Sequence, residues 1–367
     1  MNKDKALFRL EREKLLLTGE IPRLFMKYAL PGVAGLLFLG IQSVIDGIVL
    51  GRFVGANALA SVNLVLPCYS LISAFAIVMG IGGQTLVSIS LGRGDKQEAN
   101  NALRSVFVFL LGMSVVVSLV IFLSAGKIAS FLGANEVLLP DAVHYIRALV
   151  PFFPLLCAMF FGDYIIKAMG HPLYATSVMG MTVVLNIVLD LVFVAVLGWG
   201  VMGAGLATGI AFTMGACFNV PRLFSRHEVV AVQRGRYDRR LVWNAFYNGS
   251  SEGMSELSVA ITVFLFNITM MRYLGESGVA AFTAINYILF IGTTVFLGIS
   301  DGIIPIIGYN YGARQQERIK SILKLAARTN SLIGIGLFLL LLLFGEQVIG
   351  LFFKDHGSEA FEIASRG

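Results

Sequence analysis

Long apolar stretches, separated by short polar or charged loops, recur along almost the whole chain. A membrane-spanning helix needs about 20 predominantly apolar residues, and nine stretches meet that requirement. They run approximately over 24–50, 58–91, 105–125, 146–166, 174–197, 202–223, 250–271, 279–307 and 322–344. Because a helix satisfies its own backbone hydrogen bonds inside lipid, the pattern predicts an all-α polytopic membrane protein.

A shift of 220 residues aligns the first part of the chain with the last. It places Arg52–Gly55 on Arg272–Gly275 without a gap, and it pairs Gly92 with Gly312. The repeat predicts two pseudo-symmetric helix bundles, and an even number of helices per copy keeps the copies parallel.

The repeat also predicts the domain organisation. We expect an amphipathic N-terminal segment on the membrane surface at 1–20 and an N-lobe of six helices at 21–223. A basic linker at 224–240 then leads to a partial C-lobe of three helices and a tail at 241–367. The second copy offers three helices fewer than the first, so we expect a chain truncated at its C-terminus.

Composition and charge exclude several classes of protein. The chain is 57% hydrophobic and 14% charged, whereas soluble domains carry about 25% charged residues. The net charge of +6 does not indicate nucleic acid, because the basic residues flank apolar stretches. No catalytic constellation, phosphate loop or metal cluster stands out, so we predict a non-enzyme. We expect a monomer in the lipid bilayer.

The Lys and Arg residues predict the orientation. Of the 28, 22 fall in the N-terminal segment and the even-numbered loops. Cytoplasmic loops carry an excess of Lys and Arg. This places the N-terminus and the even-numbered loops in the cytoplasm.

A few polar side chains interrupt the apolar stretches and are candidates for an ion site, since each costs about 2.5–3.5 kcal/mol to insert if charged. Asp46 lies in the first stretch, and Asn186 and Asp190 share a helix face in the fifth at a spacing of four. Thr208 adds a hydroxyl from the sixth. These oxygens suit Na⁺, and two neighbouring carboxylates also suit a proton. The alternative is helix–helix hydrogen bonding or a position at interfacial depth.

Other polar positions have two interpretations each. Glu252 and Glu256, one turn apart in the seventh stretch, either form a substrate or second ion site or leave Glu252 in water at the mouth. Gln42 is a candidate for the same site or for a helix–helix hydrogen bond. Asp163 and Lys167, spaced by four, are expected to pair.

Several motifs in combination resemble the multidrug and toxic compound extrusion (MATE) transporters, over essentially the whole chain. They are Ala29–Gly32, Val44–Arg52, Lys167–Pro172, Asn186–Asp190 and Gly203–Thr208, while Ser251–Glu256 resembles the bacterial MepA-like branch.

The resemblance implies two lobes of six helices around a central cavity. It implies export of hydrophobic, often cationic drugs across the bacterial cytoplasmic membrane in exchange for H⁺ or Na⁺, without a cofactor. Carried over by position, Asp46, Asn186, Asp190 and Thr208 would form the cation site of the N-lobe. Two alternatives are a lipid-linked precursor flippase of the same superfamily, expected to have a strongly cationic cavity, and a truncated remnant that does not transport.

Overall fold

The computed structural model describes residues 15–350 and 359–366. Within these ranges it does not describe the side chains at 56, 256, 257, 260, 264, 267, 276, 279, 280, 283, 284, 287, 359, 360 and 366. The predicted N-terminal segment at 1–20 therefore lies largely outside the described residues, and so does the side chain of Glu256.

The described residues form helices and contain no strand. The helices are α1 (Ile21–Phe53), α2 (Ala56–Gly92), α3 (Lys96–Leu123), α4 (Ala125–Phe131), α5 (Leu139–Leu149), α6 (Phe153–Ala168), α7 (Pro172–Asp190), α8 (Gly200–Leu223), α9 (Arg239–Gly312), α10 (Gln316–Gly350) and α11 (Glu359–Arg366). A 3₁₀ turn, Val150–Phe152, joins α5 to α6.

The predicted apolar stretches are all helical. Within the described ranges, eight helical segments are long and apolar enough to cross a membrane. The stretch predicted at 250–271 lies in α9, where the apolar segment Ile261–Gly275 is shorter. At Gly275, φ is 62° and ψ is −151°, which divides α9 into two helices. The all-α polytopic fold is confirmed.

Backbone conformation agrees with the repeat. Gly55 precedes α2 with φ of +120°, and Gly275, which is 220 residues later, also has a positive φ. Gly94 has φ of +80°, and its repeat partner Arg314 has φ of +59°. Glycine adopts this region without a steric penalty. The two copies therefore turn in the same way, although one of the four positions carries a side chain.

Burial differs between the spans. In the most apolar window of Leu139–Ala168, 78% of residues are buried, against 6% in that of Gln316–Gly350. The α5–α6 segment is thus central to the N-lobe, and α10 exposes its apolar surface. Neighbouring helices of the N-lobe pack around this segment and contribute side chains to the site described below.

The two lobes pack closely through glycines near the Lys- and Arg-rich loops. A β-carbon on Gly302 of α9 would lie 2.6 Å from the carbonyl oxygen of Tyr28 on α1. A β-carbon on Gly312 would lie 2.9 Å from the backbone nitrogen of Arg93, next to the end of α2. We call this end of the molecule the basic face. Backbones of the two lobes meet there at distances that only glycine permits.

The segment between the lobes follows the first turns of α3. Backbone amides of this segment donate hydrogen bonds to side-chain oxygens of α3: Ala231 N to Asn100 Oδ1 at 2.7 Å, Arg236 N to Asn101 Oδ1 at 2.7 Å, and Asp238 N to Ser105 Oγ at 2.8 Å. The start of α9 is therefore anchored to the N-lobe.

Candidate functional site

Two carboxylates from distant parts of the chain meet inside the N-lobe. Asp46 lies in the second half of α1, and Asp190 is the last residue of α7. Their carboxyl groups are close enough to interact directly. The π-helical segment Leu191–Val196 follows Asp190 at once, and such segments occur frequently at functional sites.

Amide and hydroxyl groups surround the two carboxylates. The Asn186 side chain, one turn before Asp190, donates to Thr208 Oγ1 at 3.3 Å. Gln42 lies one turn before Asp46 and contacts it. Asn186 and Asp190 are at most 1% exposed. The structure thus brings together the five N-lobe side chains that the sequence named as candidates for an ion or substrate site.

Many oxygens at this site have no hydrogen-bond donor in the part of the chain that the structure describes. They are Gln42 Oε1, Asp46 Oδ1, Asn186 Oδ1 and both Asp190 oxygens. An unsatisfied buried acceptor costs about 1–3 kcal/mol, and two adjacent carboxylates repel unless one is neutralised. The described residues hold no cluster of three or more His, Cys, Asp or Glu. Two carboxylates with neighbouring amide and hydroxyl oxygens suit a proton or a small cation.

A cavity of about 290 Å³ adjoins the carboxylates. Asp46, Gln42 and Thr208 contribute to its lining, whereas Asn186 and Asp190 do not. Asp46 therefore faces the cavity on one side and the buried Asp190 on the other. A group bound in the cavity and an ion bound at Asp190 would both interact with this carboxylate.

Sequence reasoning missed several polar residues of the cavity wall. Tyr69 and Ser73, one turn apart on α2, line the cavity together with Asn63 and with Tyr145 of α5. Tyr145 lies within electrostatic range of both carboxylates. A tyrosine within an apolar stretch is common and does not by itself indicate a site. The spacing of four between Tyr69 and Ser73, however, places two hydroxyl groups on one face of α2, and this could have been recognised from the sequence.

Glu252 of α9 lies apart from this cavity. Glu252 is half-buried, and the β-carbon position of its neighbour Gly253 is 3.2 Å from the Val78 side chain of α2. Glu252 is not among the residues that line the cavity. The side chain of Glu256 lies outside those described, so the second site stays a prediction.

Comparisons with known proteins give consistent results. The family model described as MatE matches residues 31–192 and 253–366. The chain is similar to the "Multidrug export protein MepA" of Staphylococcus aureus (strain MSSA476), with 22% identity over 355 residues, which cover 96% of this chain and 77% of the relative. MepA of Staphylococcus saprophyticus is equally similar, with 22% identity and the same coverage.

Solved structures share the fold. "Crystal structure of MATE in complex with MaD3S" has a TM-score of 0.88 and 25% identity, and the match covers 96% of this chain and 78% of the other. "Outward-facing conformation of a multidrug resistance MATE family transporter of the MOP superfamily" has a TM-score of 0.87 and 25% identity, covering 95% and 78%.

Proposed function

The chain belongs to the MatE family, and from this membership we propose that it exports hydrophobic or cationic drugs by secondary antiport, in exchange for H⁺ or Na⁺. The observation that carries the proposal is the Asp46–Asp190 pair beside the cavity. Similarity to proteins named for multidrug export supports the substrate class. These relatives are transporters, which agrees with the prediction that the chain is not an enzyme.

The two carboxylates bind the coupling ion. A proton shared by Asp46 and Asp190, or a Na⁺ held by them with oxygens of Asn186 and Thr208, removes their repulsion. The ion is a transported substrate and not a resident cofactor. Two neighbouring carboxylates that are both ionised repel each other in a site largely shielded from water. Ion binding therefore stabilises the conformation of the N-lobe in which the two carboxylates lie close together.

Coupling to the drug follows from the shared carboxylate. An ionised Asp46 attracts a cationic drug into the cavity, and a bound ion neutralises that attraction. The drug and the ion therefore weaken the binding of each other, and linkage requires the effect to be reciprocal. Antiport needs this mutual exclusion.

We further propose that the basic face is cytoplasmic and that the structure is outward-facing. Close packing of the lobes at the basic face supports this, because it closes that end. Similarity to a structure described as outward-facing agrees with it. The N-terminus is then cytoplasmic, and the protein works as a monomer in the bacterial cytoplasmic membrane, with the N-lobe at 21–223 and a partial C-lobe at 241–367.

The test uses the purified chain reconstituted in vesicles with a fluorescent cationic dye. An imposed H⁺ or Na⁺ gradient should drive dye movement in the wild type, and the effective gradient identifies the ion. Asp190→Asn should abolish the gradient-driven movement. Glu317→Gln, at a carboxylate whose side chain is 86% exposed, is the matched control. Wild-type movement by Asp190→Asn would refute the site assignment.

The flippase alternative is less well supported. A cavity for a lipid pyrophosphate needs cationic walls, whereas the described lining of this cavity includes Asp46 and no Lys, Arg or His. Transport of a lipid-linked pyrophosphate without dye transport would favour the flippase. If the wild type neither binds nor moves the dye, the non-transporting alternative is favoured.

A further inference from the structure

A row of buried polar side chains leads from Asp190 toward the basic face, through the seam between α6, α7 and α8. We call it the polar file. Its members are Asn186 and Thr182 on α7, Asn219 on α8, and Asp163 and Lys167 on α6.

The file passes from α7 to α8 at a close contact. Thr182 lies one turn before Asn186 and is fully buried. A β-carbon on Gly215 of α8 would lie 2.6 Å from Thr182 Oγ1. Asn219 is one turn farther along α8, so it continues the row toward the basic face.

A second close contact leads from α8 to α6. A β-carbon on Gly162 would lie 2.7 Å from the β-carbon of Asn219, whose side-chain amide donates to the Met159 carbonyl at 3.1 Å. Asp163 follows Gly162 and pairs with Lys167 at 2.5 Å, as the sequence predicted. The Lys167 side chain is 12% exposed, which gives the row an end near solvent.

The file contains more acceptors than its protein donors satisfy. In the described part of the chain, Asn186 Oδ1, Asn219 Oδ1 and Asp163 Oδ1 have no hydrogen-bond donor, although these residues are at most 3% exposed. Buried acceptors of this kind are commonly satisfied by ordered water. Asp190, Asn186 and Thr182 follow one another at about one helical turn, ~5.4 Å, a gap that one water molecule bridges, and the two close contacts carry the row from α7 to α8 and from α8 to α6.

We propose that the polar file binds a row of water molecules and conducts the coupling proton between Asp190 and the basic face. The proton role rests on the proposed function, whereas the bound water does not. A proton leaves the Asp190 carboxylic acid for the first water, and each water passes one proton to the next. The Asp163 carboxylate accepts it and releases it to solvent beside Lys167. One proton moves, and only O–H bonds form and break.

The first measurement detects the water without requiring transport. Hydroxyl radicals generated by X-rays from bound water oxidise adjacent side chains, and Met159 is a fully buried reporter in the seam. We expect oxidation of Met159 in the purified wild type and its loss in Thr182→Val and in Asn219→Leu. Thr213→Val is the matched control, because Thr213 and Thr182 both donate to a carbonyl four residues earlier but only Thr182 lies in the seam. An unreactive wild-type Met159, or one unaffected by Asn219→Leu, would overturn the proposal.

The second measurement follows drug-driven proton movement in vesicles with an internal pH dye. Because each variant removes a hydrogen-bonded link, Thr182→Val and Asn219→Leu should slow proton movement about tenfold or more. Drug affinity should stay within about twofold, since the file does not line the cavity.

The results separate the two proposals. Wild-type proton movement in Asn219→Leu overturns the conducting role. If Met159 is oxidised in the wild type but no protons move with the drug, the bound water is supported. The same result overturns both the conducting role and proton antiport. A wild type that moves protons with drug but leaves Met159 unreactive overturns the file alone.

Discussion

Replacement of Gly302 by alanine should open the basic face. The new β-carbon would lie 2.6 Å from the Tyr28 carbonyl oxygen and 3.0 Å from the α-carbon of Ala29, whereas carbon–oxygen contacts are normally about 3.3 Å or longer. Helices α1 and α9 must therefore separate by roughly 0.7 Å at this point. The clash involves backbone on both sides, so rotamer changes cannot relieve it.

The magnitude follows from the cost of overpacking. Such insertions cost about 1–3 kcal/mol, which corresponds to a shift of about 5- to 150-fold in a two-state equilibrium. The penalty applies only to the state in which the lobes touch at the basic face. Gly302→Ala should therefore shift the population toward a state that is open at this face.

The distance between spin labels at Lys96 and Lys320 measures this shift. Both residues are exposed and lie in the first turns of the repeat-related helices α3 and α10. The labels require a background in which Cys68, Cys157 and Cys217 are replaced. Gly302→Ala should add or enlarge a longer-distance population, and Gly112→Ala, where a β-carbon meets nothing within 4 Å, should not. An unchanged distribution in folded Gly302→Ala, or the same change in Gly112→Ala, would refute the reasoning.

Three further predictions concern stability, measured by thermal unfolding in detergent. Thr208→Val removes the acceptor of the buried Asn186 amide and should cost about 1–3 kcal/mol; an unchanged melting temperature would show that this hydrogen bond is dispensable. Lys167→Met leaves Asp163 buried without its partner and should lower the free energy of unfolding by about 3–5 kcal/mol. Adding Asp163→Asn should recover most of this loss, because no unpaired charge then remains buried. A Lys167→Met variant as stable as the wild type would show that the pair does not contribute. Gly235→Ala places a β-carbon 2.6 Å from the Asn100 carbonyl carbon and should cost about 1–3 kcal/mol by lifting the inter-lobe segment from α3; stability equal to that of Gly112→Ala would argue against this contact.

The helices and their approximate limits follow from the apolar stretches of the sequence. Lipid compels each span to satisfy its backbone internally, so a local apolar run of sufficient length is enough to predict a helix. The same locality made the Asp163–Lys167 pair predictable, since both residues lie on one face of one helix. Asp46 and Asp190 could be named from the sequence as candidates for an ion site, because a charge inside an apolar stretch is costly.

Which helix faces meet could be learned from the folded structure alone. Asp46 and Asp190 are 144 residues apart, and their contact depends on how α1 packs against α7. The cavity wall of Tyr69 and Tyr145 depends on such packing as well, and no local pattern encodes it. That Gly302 allows the two lobes to approach closely follows only from the structure, in which it lies against the Tyr28 backbone. Periodicity reports which residues share a helix face, whereas close packing between helices depends on side-chain shapes supplied by distant parts of the chain.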